Sequence, residues 1–297
     1  NTPPNTLPAN LNATAPLNLP ENTPSGSVFG QVIAVDPDSD ANLSYSLGAV
    51  FPPDLSPGVW LDADDPSTLW QDTTALTEAN QTGHGIALWQ DRTPHERNAT
   101  MATFATQPVL RENFLNGRSV LRFDGTNYLD VDFSWLANTD YTVIAVEGRR
   151  SNKSNNYFLL NSGGNSSNRT GHFGYRRNGT YTLAQYGNDL DSGIAGYSQQ
   201  VFRAWTHWFD DDVGHMIYLN GDSFASNSNK AGFTQVNQGK IGAASSYFYY
   251  GDIAEIIAFE SALPKEKVEQ VHEYLALKWG LPISSPYLGE RFSLDSN

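Results

Sequence analysis

Oxygen-bearing side chains crowd into a few short stretches of this chain, each spaced for a recognisable chemistry. Asp36-Pro37-Asp38-Ser39-Asp40 places three carboxylates in a five-residue run, with Glu21 upstream near its base. Calcium takes about 6–8 oxygen ligands in flexible geometry, so carboxylates gathered on turns suit it. The run is not an EF-hand: Ala41 stands where the sharp-turn glycine belongs and Leu47 where the bidentate glutamate belongs. A solvated turn is the other reading of it. In Tyr186-Gly187-Asn188-Asp189-Leu190-Asp191-Ser192-Gly193, the side chains of Asn188, Asp189 and Asp191 offer oxygens to a cation or, equally, to Asx-turns. Ser245, Ser246, Tyr247, Tyr249 and Tyr250 crowd a further loop, where aromatics could stack on a sugar, grip a side chain or pack inward. Phe209-Asp210-Asp211-Asp212 reads as hairpin-turn residues.

Catalytic constellations are thin. A retaining glycosidase needs two carboxylates about 5 Å apart. Asp252 and Glu255 lie three apart, which in a regular strand sends them to opposite faces. Asp62 with Asp64, and Asp130 with Asp132, share a face but stand at apparent strand ends without an evident acid or base partner. The six histidines form no His-Glu-x-x-His or His-x-His, and no Gly-x-Ser-x-Gly or phosphate loop occurs. No enzyme is expected. His207, between Trp205 and Trp208, reads as a strand residue among aromatics, and Trp60, Trp70, Trp89, Trp135 and Trp279 read as core.

Composition narrows the class further. The 297 residues carry 18 Lys+Arg against 32 Asp+Glu, a formal charge of −14, and no cysteine. Disulfides, thiol nucleophiles and cysteine zinc sites are excluded together. An acidic chain without a basic stripe repels phosphate, so nucleic acid is not an expected partner. No apolar run approaches the roughly 18–20 residues that cross a bilayer, and the chain is expected not to insert in a membrane. Residues 1–91 hold 11 acids and no Lys or Arg, so the negative charge is concentrated at the front.

These residues need a scaffold, and the punctuation of the chain predicts a β one. Residues 1–20 carry five prolines and read as a stiff linker. Alternating strands are predicted at 28–35 and 43–47, half of a small β-sandwich, followed by a Pro-rich joint at 51–58. Beyond it, strand patterns recur at 119–125, 141–148, 157–161, 172–177, 180–187, 215–221 and 251–260. Asn116-Gly117, Asn178-Gly179 and Asn220-Gly221 suit hairpin turns with two positive-φ residues. Val268, Val271, Leu275 and Trp279 fall at helical spacing, with Pro264 near the start and Gly280 past the end, which predicts one amphipathic helix on the sandwich. The fold class is all-β: a jelly-roll sandwich with one helix, plus a small Ig-like module.

Two resemblances sharpen this. Glu21-Asn22-Thr23-Pro24, AVDPDSDANLSYSL and ERFSLDSN resemble cadherin-like repeats of large bacterial adhesins. GVWLDADDPSTL, ALWQDRT, RSVLRFDGTNYLDV and GDIAEIIAFESALPKEKVEQVHEYLALKWGL resemble laminin-G-like, concanavalin-A-like domains. A laminin-G-like domain inserted in a split cadherin-like module is similar to the ligand-binding region of RTX adhesins. The resemblance implies a linker at 1–20, a split module at 21–57 and 284–297, and a ligand-binding domain at 58–283. It also implies an extracellular place on a Gram-negative surface, a monomer, and calcium-dependent capture of a peptide through its C-terminal carboxylate. A glycan ligand is the alternative, and a structural spacer is the third. The metal ligands expected are Glu21, Asp36, Asp38, Asp40, Asn188, Asp189 and Asp191; the ligand contacts expected are Tyr186, Asn188, Asp189, Asp191, Ser245, Ser246 and Tyr247. The glycine-rich calcium nonapeptides that accompany such regions are absent from this sequence.

Overall fold

The computed structural model describes residues 9–13, 32–35, 51–52, 54–152, 155–162, 166–193, 197–234, 238–244 and 246–282. The chain divides into two compact units, Asn1–Gly48 with Pro286–Asn297, and Ala49–Ser285. In the first, strand Val32–Val35 lies where the alternation predicts one and pairs antiparallel with Ala9–Ala13. The second of these falls inside the stretch read as a linker: its prolines, Pro8 and Pro16, flank the strand instead of interrupting it, so the ladder keeps its donors. Glu21, Asp36, Asp38 and Asp40 lie outside the described residues.

The second unit is a β-sandwich. One sheet runs in the order Asp222–Asn227, Gly214–Leu219, Arg203–Asp210, Tyr141–Arg149, Tyr250–Phe259, Arg118–Asp124 and Val109–Leu115, with Val59–Asp62 also pairing Tyr250–Phe259. The other contains, in order, Leu190–Asp191, Tyr181–Ala184, Thr170–Tyr175, Asn156–Ser162, Gln238–Ile241 and Leu129–Asp132, continued by three two-residue strands. All strand pairings are antiparallel. All seven expected strands of this unit are present to within a few residues.

Burial explains why the central strands of the first sheet read as nearly unbroken hydrophobic text. Along Tyr141–Arg149 every residue is buried. Val143 and Ala145 face the partner sheet, in a core with Phe158, Phe173, Tyr175, Tyr181 and Trp205. Ile144 and Val146 face the other way, in a second core with Val268, Val271, Leu275 and Trp279 of the helix Lys265–Trp279. The period of two is intact, but both faces are apolar. Gly280 closes the helix in the left-handed conformation at φ 66°, its N–H bonded to the Ala276 carbonyl at 2.8 Å. Phe51 and Leu55, expected in the small module, pack here instead, with the Phe51 ring 4.3 Å from that of Trp60.

The helix is fastened by a buried ionic cluster. Lys278 Nζ lies 2.6 Å from Asp62 and 3.0 Å from Glu255. Glu255 also accepts from Trp60 Nε1 at 2.6 Å, Tyr274 Oη at 2.9 Å and Trp279 Nε1 at 2.6 Å. Burial first, then repulsion from Asp62, pushes the Glu255 carboxyl above its usual range, against the pull of Lys278.

Glu255 faces the helix because the strand is bulged. Val146 pairs Glu255 and Glu147 pairs Ile253, leaving Ala254 as an extra residue. Ile253 and Ile256 point into the inter-sheet core, and Ala254 and Ile257 into the helix-side core. Asp252 and Glu255 therefore share the helix-side face, correcting the expectation of opposite faces. Each is committed: Asp252 receives Arg122 Nε at 2.7 Å, and Glu255 holds Lys278. The acids at 62, 64 and 130 likewise have basic partners, Arg92 and Lys278, Arg118, and Lys240 respectively.

Lys278→Met is expected to cost about 3–5 kcal/mol of unfolding free energy at pH 7, because it strands Glu255 beside Asp62 without a counter-charge. Glu255 protonates more readily in the folded state than in the unfolded one, so the deficit shrinks as pH falls from 7 towards 5. Urea denaturation across that range checks both; a pH-independent deficit would show that lost packing, not charge, sets the cost.

Candidate functional site

The helix covers the centre of the first sheet's outer face, leaving a groove at Trp208, Met216 and Tyr218 beside its start, and among the described residues the second sheet presents its outer face without a covering helix. Phe173 and Tyr175 point into the core, and alternation turns His172 and Arg176 outward. Tyr157, on the adjoining strand, joins them outside the main core in a small cluster with Ala244. Its ring centroid is 4.6 Å from the His172 ring and 6.2 Å from that of Tyr247, edge-on to both. Tyr157 Oη donates to Asn155 Oδ1 at 3.2 Å. Tyr247, carried on the short hairpin of Ala243–Ala244 and Tyr247–Phe248, is 45% exposed and presents an open ring.

Arg176 borders this aromatic group. Its Nη2 lies 2.5 Å from Asp189 Oδ2 and its Nε 2.6 Å from Asp191 Oδ1, so one guanidinium spans both carboxylates of the predicted loop. Asp189 Oδ1 also accepts the Gln185 backbone N–H at 2.8 Å, and Asn188 Nδ2 donates to Asn168 Oδ1. The loop is thus held by its own hydrogen bonds and by the neighbouring strand. The His172 imidazole is pushed down to about 4, by burial first and by Arg176 second, with Asp189 and Asp191 opposing. It is neutral at pH 7, and the Arg176–Asp189–Asp191 group carries one formal negative charge.

Of the expected contacts, Asp189, Asp191 and Tyr247 converge on this face, joined by Tyr157, His172 and Arg176, while Asn188 bonds Asn168 instead. Ser246 is exposed beside Tyr247, Tyr186 is 45% exposed on the loop at φ 44°, and Ser245 lies outside the described residues. Tyr249 is core, its ring 5.9 Å from Phe158 and its hydroxyl donating to the buried Glu147. Among the described residues, no group of three or more His, Asp or Glu is arranged to hold a metal ion. A cation at Asp189 and Asp191 would compete with Arg176, which already holds one oxygen of each. The missed residues did leave a signal: in His172-Phe173-Gly174-Tyr175-Arg176 the polar members alternate with the aromatic ones, but nothing local ties them to loops 186–193 and 245–250.

His207 is the strand residue expected, stacked 4.1 Å from Phe173 and bonded to Tyr181 Oη at 2.8 Å. Trp89 and Trp279 are fully buried, while Trp60, Trp70 and Trp135 are partly so. No helix among the described residues is long and apolar enough to cross a membrane.

No protein-family model and no curated protein matches this chain. Among solved structures it is similar to the sialidase of Trypanosoma rangeli in complex with an inhibitor, at 12% identity and TM-score 0.48 over 71% of this chain and 36% of that one. It is also similar to the binding domain of Paraclostridial Mosquitocidal Protein 1, at 14% identity and TM-score 0.48 over 67% and 54% of the two chains. A third likeness is to the Ruminococcus gnavus IT-sialidase CBM40, at 12% identity and TM-score 0.41 over 50% of this chain and 94% of that one. The chain spans about a third of the length of the sialidases it resembles. At such identity and overlap, what those proteins bind or cleave does not transfer to this chain.

Proposed function

We propose that the unit Ala49–Ser285 is a non-catalytic ligand-binding module that takes a neutral glycan on the outer face at Tyr157, His172, Tyr247 and Arg176. The observation that carries this reading is the exposed Tyr247 ring set edge-on to Tyr157, which is itself edge-on to His172, beside a guanidinium clamped between two carboxylates. A sugar offers an apolar C–H face and a rim of hydroxyls that both donate and accept. Aromatic rings suit the first, and a fixed Arg–Asp array, with donors and acceptors side by side, suits the second. The one formal negative charge of the array would repel a free peptide carboxylate unless a cation intervened, and the carboxylates available to such a cation already hold Arg176. These points favour the glycan over calcium-dependent peptide capture. In the adhesin architecture that the sequence resembles, such a module would make contact with a glycan-coated surface.

Binding to an array of glycans and free-carboxylate peptides, in calcium and again in EDTA, tests the reading. Neutral glycan hits that persist in EDTA are expected. Peptide hits lost in EDTA would sink it in favour of the calcium mechanism. For a glycan that binds, Tyr247→Ala is expected to cost about 0.5–1.5 kcal/mol, roughly two- to tenfold in Kd, with the melting temperature little changed because the ring is exposed. Unaltered affinity would remove this face from the site.

Arg176→Gln supplies a second check. With the guanidinium gone, Asp189 and Asp191 act on His172 unopposed, and its titration midpoint, followed by imidazole C–H resonances, is expected to move upward from about 4. A stationary midpoint would mean that the three charges and the ring do not form one electrostatic group.

A further inference from the structure

At one end of the sandwich a cleft of about 350 Å³ is lined by Arg149, Asn152, Arg177, Asn178, Tyr197 and Gln199, with Ser198 and Gly179. No Asp or Glu is among these described lining residues, although the chain carries a charge of −14. Arg149 is 2% exposed. Its guanidinium sits 4.4 Å over the Tyr175 ring and donates Nη2 to the Tyr197 carbonyl, while its buried Nε has no partner. No carboxylate of the described residues lies within ion-pair distance of it. Arg203 lies just behind, donating to the carbonyls of Ser198 and Val201 at 3.2 and 3.0 Å.

Arg177 reaches the rim through a turn whose type differs from expectation. Gly179 has φ 82°, but Asn178 does not share a positive φ. Gly179 N bonds the Arg176 carbonyl and Arg176 N the Thr180 carbonyl, each at 2.8 Å. The hairpin is therefore a four-residue turn with glycine at the left-handed position, and Arg177 and Asn178 occupy its two central places. Both are exposed and line the cleft.

A buried guanidinium without a counter-charge is costly, and because Arg149 lines a polar cleft that holds no acid among its described residues, the partner it lacks is an anion entering that cleft. We propose that this cleft is an anion site that takes a carboxylate, held by Arg149 from the floor and Arg177 from the rim, with the amides of Asn152, Asn178 and Gln199 around it. Planar guanidinium and planar carboxylate match in bidentate geometry, and the side-chain amides can serve the rest of a polar ligand. The site is separate from the glycan face proposed above and stands or falls independently of it. Two sources offer this group, an acidic sugar and a small organic acid.

Titration of the whole chain with glucuronate, glucose and acetate, followed by the Arg Nε–Hε resonances, tests it. Saturable displacement of the Arg149 resonance by glucuronate but not by glucose is expected. Glucuronate binding well above acetate identifies an acidic sugar; equal binding identifies a small acid. Arg177→Ala, an exposed change that leaves Arg149 in place, is expected to weaken glucuronate about tenfold, since one charge-assisted contact is lost. An Arg149 resonance indifferent to all carboxylates, displaced equally by glucose, or displaced with the same affinity in Arg177→Ala would overturn the proposal.

Discussion

Along Tyr141–Arg149 and Tyr250–Phe259 successive side chains enter two different cores, one against the partner sheet and one under the helix Lys265–Trp279. Along those strands the sheet has no surface to give a ligand, and what it keeps open lies towards its edge, at Trp208, Met216 and Tyr218. That constraint directs function to the outer face of the second sheet and to the ends of the sandwich, where loops and strand termini emerge. It also makes charge inside the first sheet expensive. Glu147, fully buried between the sheets, meets the cost by accepting from Tyr175 Oη at 2.6 Å, Trp205 Nε1 at 2.9 Å and Tyr249 Oη. Glu255 meets it on the other side with Lys278 and two indoles. Both carboxyls are pushed above their usual range, chiefly by burial.

The two clusters do different work. Glu147 ties hydroxyls and an indole from both sheets to one point, so it fixes how the sheets face one another. Glu255, with Asp62 and Lys278, fixes the helix against the first sheet at its last turn. Polar pairing of this kind contributes little net stability beyond a well-packed apolar alternative, but a wrong register leaves a buried charge unmatched. The aromatic stack of Tyr181 on Trp205, with centroids 3.5 Å apart and planes within 8°, rests directly beside the Glu147 group.

Legibility in the sequence followed the local content of each element. Strands with alternating polarity and Asn-Gly hairpins were readable, as at 118–124 and 214–219, and Asn116-Gly117 and Asn220-Gly221 adopt the positive φ pair expected. The helix was readable because its spacing, proline and glycine agree. Arg203–Asp210 was legible only at His207, read as a strand residue among tryptophans, and the bounds of the strand were not drawn. The two-residue strands at 69–70, 88–89 and 99–100 are too short to carry a period. At the candidate site, Asp189, Asp191 and Tyr247 stood out as loop residues with chemical capacity. What converts them into a surface is Arg176, Tyr157 and His172, which arrive from two other strands through sheet order, a property no local pattern records. The charge of Arg176 decides what Asp189 and Asp191 can do, and it lies outside the loop that drew attention.

The bulge at Ala254 acts as a one-residue shift in the side-chain reading frame of a strand. Ahead of it, Asp252 faces the arginines of the outer surface; after it, Glu255 faces the helix, and the two acids share a side only because one extra residue stands between ladder partners. Removing Ala254 would restore strict alternation with every neighbour keeping its side, whereas regular pairing with Ala254 retained would send residues 250–253 to the opposite faces, taking Asp252 inward and Ile253 outward. Length, at this position, is as much a determinant of polarity as residue type. Homologous strands compared letter by letter would miss the equivalence unless the gap were placed at the bulge.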